Sequence, residues 1–212
     1  FASKEPSQEK MDSVDDKWKD SMDNYNVMLV TIGRSSTENG TYLPGVDGVD
    51  ASQNLNQTDP LGLSDDERDL INAAVEAKEN NGGKVIVMLN NANAMEIDEI
   101  KNNDGVDAIM EIGLPGAYGF YGVADVLSGE ANPSGHLTDT YAVTNANSPA
   151  AQNFGNYAWT NADPSVNINA EEVEAEGIYT GYKYYETRYA DTVLGQGNAD
   201  AKVGSSTGKA WD

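Results

Sequence analysis

The sequence predicts an α/β domain built on a mainly parallel sheet. Three apolar runs of strand length, Val27–Gly33, Lys84–Asn90 and 106–112, are separated by stretches with helical periodicity, and that alternation is what a layered α/β architecture requires. The first run, VMLVTIG, is nearly continuous rather than alternating, the pattern of a strand covered on both faces.

The elements follow in order along the chain. Residues 1–10 are polar, and Met11, Val14, Trp18 and Met22 then recur at helical spacing on a charged segment, which predicts one amphipathic helix. The strand 27–33 opens into a loop rich in Asn, Asp and Gly that runs to Leu63. Ser64 and Glu67 make a capping-box pattern ahead of a helix carrying Leu70, Ile71, Ala74 and Val75, and Asn80-Asn81-Gly82-Gly83 closes it. After the strand 84–90 come a short helix near 94–101 and the strand 106–112. A turn at 113–116 leads to a helix over 117–127, and Asn132-Pro133-Ser134-Gly135 is a tight turn into a last strand near 136–142.

From Thr144 to about Val173 the chain turns to Asn, Ala, Pro and acidic residues with Phe154, Tyr157 and Trp159 among them, which reads as a long ordered loop. The tail is rich in Gly, Ser and Asn and has no periodicity. The expected organisation is one domain over 1–194 followed by a loop or linker over 195–212, without internal repeats.

Composition bounds the function. A chain of 212 residues with 39% hydrophobic content can build one sizeable core. Its net charge of -22 argues against nucleic acid and anionic membrane surfaces as partners, since both are polyanions that call for Lys and Arg. With no cysteine there is neither a disulfide framework nor a thiolate metal site, and the compartment, cytoplasmic or secreted, stays open. No apolar run reaches the roughly 20 residues of a membrane-spanning helix. The start at Phe1, with neither a methionine nor a signal-like segment, reads as a fragment boundary.

Glu38 is the first candidate for chemistry, because it follows a buried strand directly and parallel sheets present ligand-binding groups at the carboxyl ends of their strands. Arg34 stands between strand and carboxylate, where it can orient Glu38, contact a substrate hydroxyl, or pair with a structural carboxylate. His136 is the only histidine, so zinc ligation and a Cys-His pair lack their residues, and no G-x-S-x-G elbow accompanies it for serine chemistry. No metal or cofactor is expected. The acidic runs Asp65-Asp66-Glu67 and 171–176 lack the alternating spacing of a calcium loop and read as a solvated helix start and a charged loop. Gly116, Gly119 and Gly122 have the wrong spacing for a dinucleotide loop, and the reading preferred for them is close packing of their helix on the sheet. The triplets at Asn39 and Asn56 match the N-glycosylation pattern, as Asn-rich chains do by chance. Tyr179, Tyr182, Tyr184, Tyr185 and Tyr189 could stack on a sugar face, but packing is the preferred reading.

One string of residues goes further than this. Pro115-Gly116, Gly119, Ala124-Asp125-Val126-Leu127, Gly129, Asn132-Pro133-Ser134-Gly135, Leu137 and Thr140, together with GRSSTE at 33–38 and GIYTGYKYYE at 177–186, resemble the C-terminal α/β domain of family 3 glycoside hydrolases, the β-glucosidase and β-xylosidase group. The likeness runs over roughly residues 10–190 in one consistent order. It implies a three-layer α/β/α sandwich, here without the earlier strand region and the later FGYGLSYT-like segment that the family has.

The resemblance also implies a retaining glycosidase as the whole protein, with a β-linked oligosaccharide or glycoside as substrate. The nucleophilic Asp would lie in a barrel domain of the same protein, and the acid/base Glu in a loop of this one. The family's R-x-S-G-E-G pattern falls on Arg34, Ser35, Ser36, Thr37 and Glu38, which carries the acid/base role to Glu38 and makes Arg34 a candidate for substrate binding. A general acid must stay protonated near the working pH, and burial against sugar and barrel walls would raise the Glu38 pKa toward that range. The flanking residues depart from the pattern: Thr37 and Asn39 replace small residues, Gly40 comes one place late, and Thr41 and Tyr42 stand where an acidic residue is usual. Those departures favour an alternative, a non-catalytic scaffold or carbohydrate-binding domain that completes the barrel's active site. The resemblance gives the segment 177–186 a structural role, and this chain alone is expected to show no glycosidase turnover.

Overall fold

A computed structural model describes residues 7–34, 59, 61–145, 148–149, 163 and 176–196. These fall within two compact units, Phe1–Val143 and Thr144–Asp212. In the first unit the described elements are α1 (Gln8–Asp12), α2 (Trp18–Met22), β1 (Val27–Gly33), α3 (Asp65–Asn81), β2 (Lys84–Asn90), α4 (Asp98–Lys101), β3 (Ala108–Glu111) and α5 (Gly116–Ser128). The second contains α6 (Tyr182–Thr192).

The fold is α/β. The three strands form one parallel sheet in the order β1-β2-β3, with Val27 opposite Lys84, Gly33 opposite Asn90, and Ile86 opposite Ala108. Parallel neighbours need a long return path, and α3 supplies it between β1 and β2, packing against both. Its ends form where the sequence marks them. Ser64 accepts from the Glu67 N–H while Glu67 accepts from the Ser64 N–H, and Gly82 closes the helix at φ 73°, a conformation that glycine adopts without a Cβ penalty.

The core lies between α3 and the sheet. Val30, Ile32, Val85, Val87 and Leu89 from the strands meet Ile71, Ala74 and Ala77 of α3, and Met95 and Ile100 extend the cluster. Fully burying each of the Val, Ile, Leu and Met side chains stabilises the fold by roughly 1.5–3 kcal/mol. β2 is the central strand, and Val85, Val87, Met88 and Leu89 are all buried along it.

Several expectations are corrected. β1 is covered on one face only, because Met28, Val30 and Ile32 turn inward while Val27 and Leu29 remain 49% and 47% exposed. The single helix expected across Met11 to Met22 is two short ones. Between them the Ser13 hydroxyl donates to the Lys10 carbonyl and the Asp15 carboxylate accepts from the Lys17 N–H, so short polar side chains draw backbone groups away from a continuous helix. The segment expected as a strand near 136–142 has no regular structure. β3 ends the sheet order among the described residues, and without a neighbouring ladder an extended segment does not become a strand. The glycines of α5 do not seat that helix on the sheet: a Cβ at Gly116 or Gly122 would meet nothing within 4 Å, one at Gly119 would meet Pro115 of the same turn, and α5 buries none of its residues.

Candidate functional site

The carboxyl edge of the sheet is laced across all three strands. The Arg34 N–H donates to the Asn90 carbonyl, the Asn90 side-chain amide to the Gly113 carbonyl, and the Ile112 N–H to the Leu89 carbonyl. This edge is where a parallel sheet presents functional groups.

Arg34 extends β1 by one residue and is 3% exposed. Its Nε donates to Glu67 Oε1 at 2.8 Å, and its Nη2 donates both to Glu67 Oε2 at 2.5 Å and to the Gly62 carbonyl at 2.7 Å. Each acceptor is itself fixed by local chemistry. Asp59 Oδ1 accepts from the Leu61 and Gly62 N–H groups, a side-chain turn that holds the Gly62 carbonyl in place. Glu67 Oε2 also accepts from the Ser64 N–H at 2.8 Å, closing the capping box. One guanidinium therefore ties the end of β1 to the approach to α3 and to the first turn of α3.

Glu38 lies outside the described residues, as do Ser35, Ser36, Thr37, Asn39 and Asn56. Of the two residues that the sequence singles out, the structure therefore places Arg34, and places its side chain on Glu67 and Gly62. Glu67 is the member that sequence reasoning missed. It reads as a helix cap inside an acidic, solvated helix start, yet its side chain is wholly buried while Asp65 beside it is 99% exposed. The available signal was the capping box, which brings an N3 carboxylate back over the start of its helix.

At the other end of the same edge, Glu111 takes two hydrogen bonds. Its Oε1 accepts from the Gly113 N–H at 2.6 Å and its Oε2 from the Tyr141 hydroxyl at 2.8 Å. Burial first, and then the bond to Glu111, push the Tyr141 phenol above its ordinary pKa. Both residues line an open cleft of about 1160 Å³ between β3, α5 and the 131–139 segment. His136 lines it too and is exposed. This cleft does not include Arg34. A smaller cleft of about 220 Å³ lies beside Gly62, bounded by Asp59, Glu96, Asp98 and Glu99 with Arg68 among them. No group of three or more His, Asp or Glu among the described residues is arranged to hold a metal ion. None of the described helices is long and apolar enough to cross a membrane.

In the second unit the tyrosine-rich segment forms α6, an element that sequence reasoning did not assign. Tyr184 is buried and meets the Tyr185 ring edge-on at 5.4 Å, and buried Arg188 donates to Asp191 at 2.6 Å. Tyr182 and Tyr189 are exposed.

Comparison with known proteins gives this geometry its context. The family model described as the glycosyl hydrolase family 3 C-terminal domain matches residues 6–182. The chain is 29% identical over 154 residues to thermostable beta-glucosidase B of Acetivibrio thermocellus, covering 73% of this chain and 18% of that protein. It is 32% identical over 113 residues to a beta-glucosidase of Ruminococcus albus, covering 53% of this chain and 11% of that one. Among solved structures, beta-glucosidase 3B from Thermotoga neapolitana in complex with glucose aligns with a TM-score of 0.58 and 31% identity, over 80% of this chain and 21% of that one. The chain thus spans about a fifth or less of the length of these relatives. A family model that accounts for so much of the sequence settles its membership: the chain belongs to the glycosyl hydrolase family 3 C-terminal domains.

Proposed function

We propose that this chain serves a retaining, β-glucosidase-like hydrolase of terminal β-linked sugars, with Glu38 as the general acid/base and the nucleophilic aspartate supplied by a barrel domain of the same protein. The observation that carries the reading is the anchored strand end at Arg34. Arg34 follows β1 at the carboxyl edge of a parallel sheet, Glu38 comes four residues later in the sequence, and covalent geometry alone keeps the two Cα atoms within about 14 Å. A carboxyl group tethered that close to the edge is within reach of the place where such sheets meet their ligands.

The chemistry divides between two carboxyl groups. Glu38, protonated, gives its proton to the leaving oxygen while the aspartate of the barrel domain attacks the anomeric carbon. In the second step Glu38, now a carboxylate, takes a proton from the water that releases the sugar. In this reading Arg34 serves the site through the backbone it anchors rather than by touching sugar. Because the nucleophile is not in this chain, the 212 residues alone are expected to turn over no aryl glucoside.

The test is hydrolysis of aryl β-glucosides and β-xylosides by the full-length protein, wild type against Glu38→Ala, with azide as an external nucleophile. The expected result is a fall in kcat/KM largely confined to substrates with poor leaving groups, with azide restoring turnover of the good ones as a β-glycosyl azide. A variant that matches wild type would instead make the domain a scaffold that completes the barrel's active site, the reading that Thr37 and Asn39 favour.

A further inference from the structure

We infer that Glu111 and Asn90 form a latch on a hinge at Gly113, holding residues 114–140 as a lid that stands open over the cleft beside β3. This arm leaves the sheet at Gly113, runs through α5 and returns to the core at Tyr141. Between those points it has little packing of its own, since α5 buries none of its residues and residues 128–139 are exposed without a break. A helix in a folded protein is normally held by the packing of its apolar face. Where that packing is slight, its direction is set by the chain that feeds it.

Gly113 is the point of entry. It sits at φ 56°, a region that glycine enters at no steric cost, and the two peptide planes that meet at its Cα are each held by a side chain. Its N–H donates to Glu111 Oε1 at 2.6 Å, and its carbonyl accepts from the Asn90 side-chain amide at 2.5 Å. Turning either plane about the Gly113 Cα therefore breaks a hydrogen bond. Glu111 is itself steadied, because its Oε2 accepts at 2.8 Å from the hydroxyl of Tyr141, whose ring packs against the core. Both ends of the arm thus meet on one carboxylate.

Released from the latch, the arm has a surface to close on. Ile86, Ala108 and Met110 on the sheet side and Val126, Leu127 and Leu137 on the arm side line the same open cleft of about 1160 Å³. Closing that gap takes apolar surface of both walls out of water, which favours closure. The hydrogen bonds at Gly113 oppose it, because a swing of the arm has to be absorbed at the few backbone angles of its hinge.

The chain has no cysteine, so one introduced pair reports closure. Ala108→Cys/Val126→Cys puts a thiol on each wall, and a disulfide joins them only when their Cα atoms come within about 7 Å. Its rate of formation under a fixed oxidant is compared in that background alone and with Glu111→Ala, Asn90→Ala or Tyr141→Phe added. Circular dichroism confirms that each variant is folded at the assay temperature. Glu111→Ala and Asn90→Ala are each expected to speed cross-linking about tenfold, the factor that one lost hydrogen bond gives at the upper end of ordinary strength. Tyr141→Phe should speed it less, since it removes only the support of Glu111. Unchanged or slower cross-linking in Glu111→Ala and Asn90→Ala overturns the inference, and so does acceleration in only one of the two, because the hinge is then not locked from both sides. Should Glu111→Ala not fold, Asn90→Ala decides alone: acceleration supports the latch and an unchanged or slower rate overturns it.

Discussion

Arg34 and Glu67, 33 residues apart in sequence, meet as a buried two-point ion pair with both side chains at most 1% exposed. Removing either partner leaves the other charged and dry, a cost of about 3–5 kcal/mol. Arg34→Ala and Glu67→Ala are each expected to lower stability by about that amount in urea denaturation. The double substitution Arg34→Met/Glu67→Leu should cost far less than the sum, because no charge is stranded. Strict additivity in this cycle would show that the two groups are not energetically coupled.

Asp107 joins the end of α3 to the start of β2. Its carboxylate accepts from Lys78 and Lys84 at 2.7 and 2.8 Å and from the Val85 N–H at 2.9 Å. The Lys78 bond, then the Lys84 bond and the Val85 N–H hold its pKa well below the usual carboxylate range. A depressed folded-state pKa gives stability that is present above the unfolded value, about 3.9, and is lost as pH falls through the folded one. Asp107→Asn is therefore expected to flatten the acid limb of a stability-versus-pH curve below about pH 4. An unchanged acid limb in the variant would count against the assignment.

Tyr141 gives the opposite limb. Its pKa is raised, by burial first and then by its bond to Glu111, so its contribution is whole below the unfolded value of about 10 and is lost as pH rises through the folded one. Spectrophotometric titration should show tyrosines that stay neutral past pH 10 until the chain unfolds, and Tyr141→Phe should remove one of them, leaving Tyr185, whose pKa burial also raises. The same variant is expected to cost about 1 kcal/mol at neutral pH for the lost hydrogen bond.

What the sequence made legible was whatever local pattern determines. β1 and β2 match the apolar runs because each ends in Gly or Asn, and α3 begins and ends at its Ser64 box and at Gly82. What it hid depends on neighbours. The exposed face of β1 at Val27 and Leu29, and the missing ladder near 136–142, follow from which strands stand alongside. The break between α1 and α2 rests on side-chain bonds from Ser13 and Asp15 that compete with the helix. At the candidate site Arg34 was visible as a charged residue at a strand end, but its partner was not, because nothing near Glu67 in sequence announces a cation 33 residues away. In α6, Tyr184 and Arg188 are buried four residues apart, a helical spacing obscured by the flanking tyrosines.

Gly105 offers a packing test free of charge effects. A Cβ built there would lie 2.3 Å from Val75 Cγ1 and 2.7 Å from Cγ2, so the turn before β3 runs against α3 with no room for a methyl group. Val75 has a stiff, β-branched side chain on a helix and cannot rotate both methyls away. Gly105→Ala is expected to cost about 1–3 kcal/mol as overpacking. Val75→Ala removes both clashing atoms, so adding it to Gly105→Ala should recover part of the loss, even though Val75→Ala alone removes partly buried apolar surface next to the core. The check is a four-way thermal or urea comparison. Recovery in the double variant locates the strain at this contact, whereas a double variant less stable than Gly105→Ala alone would trace the cost to the backbone of the turn.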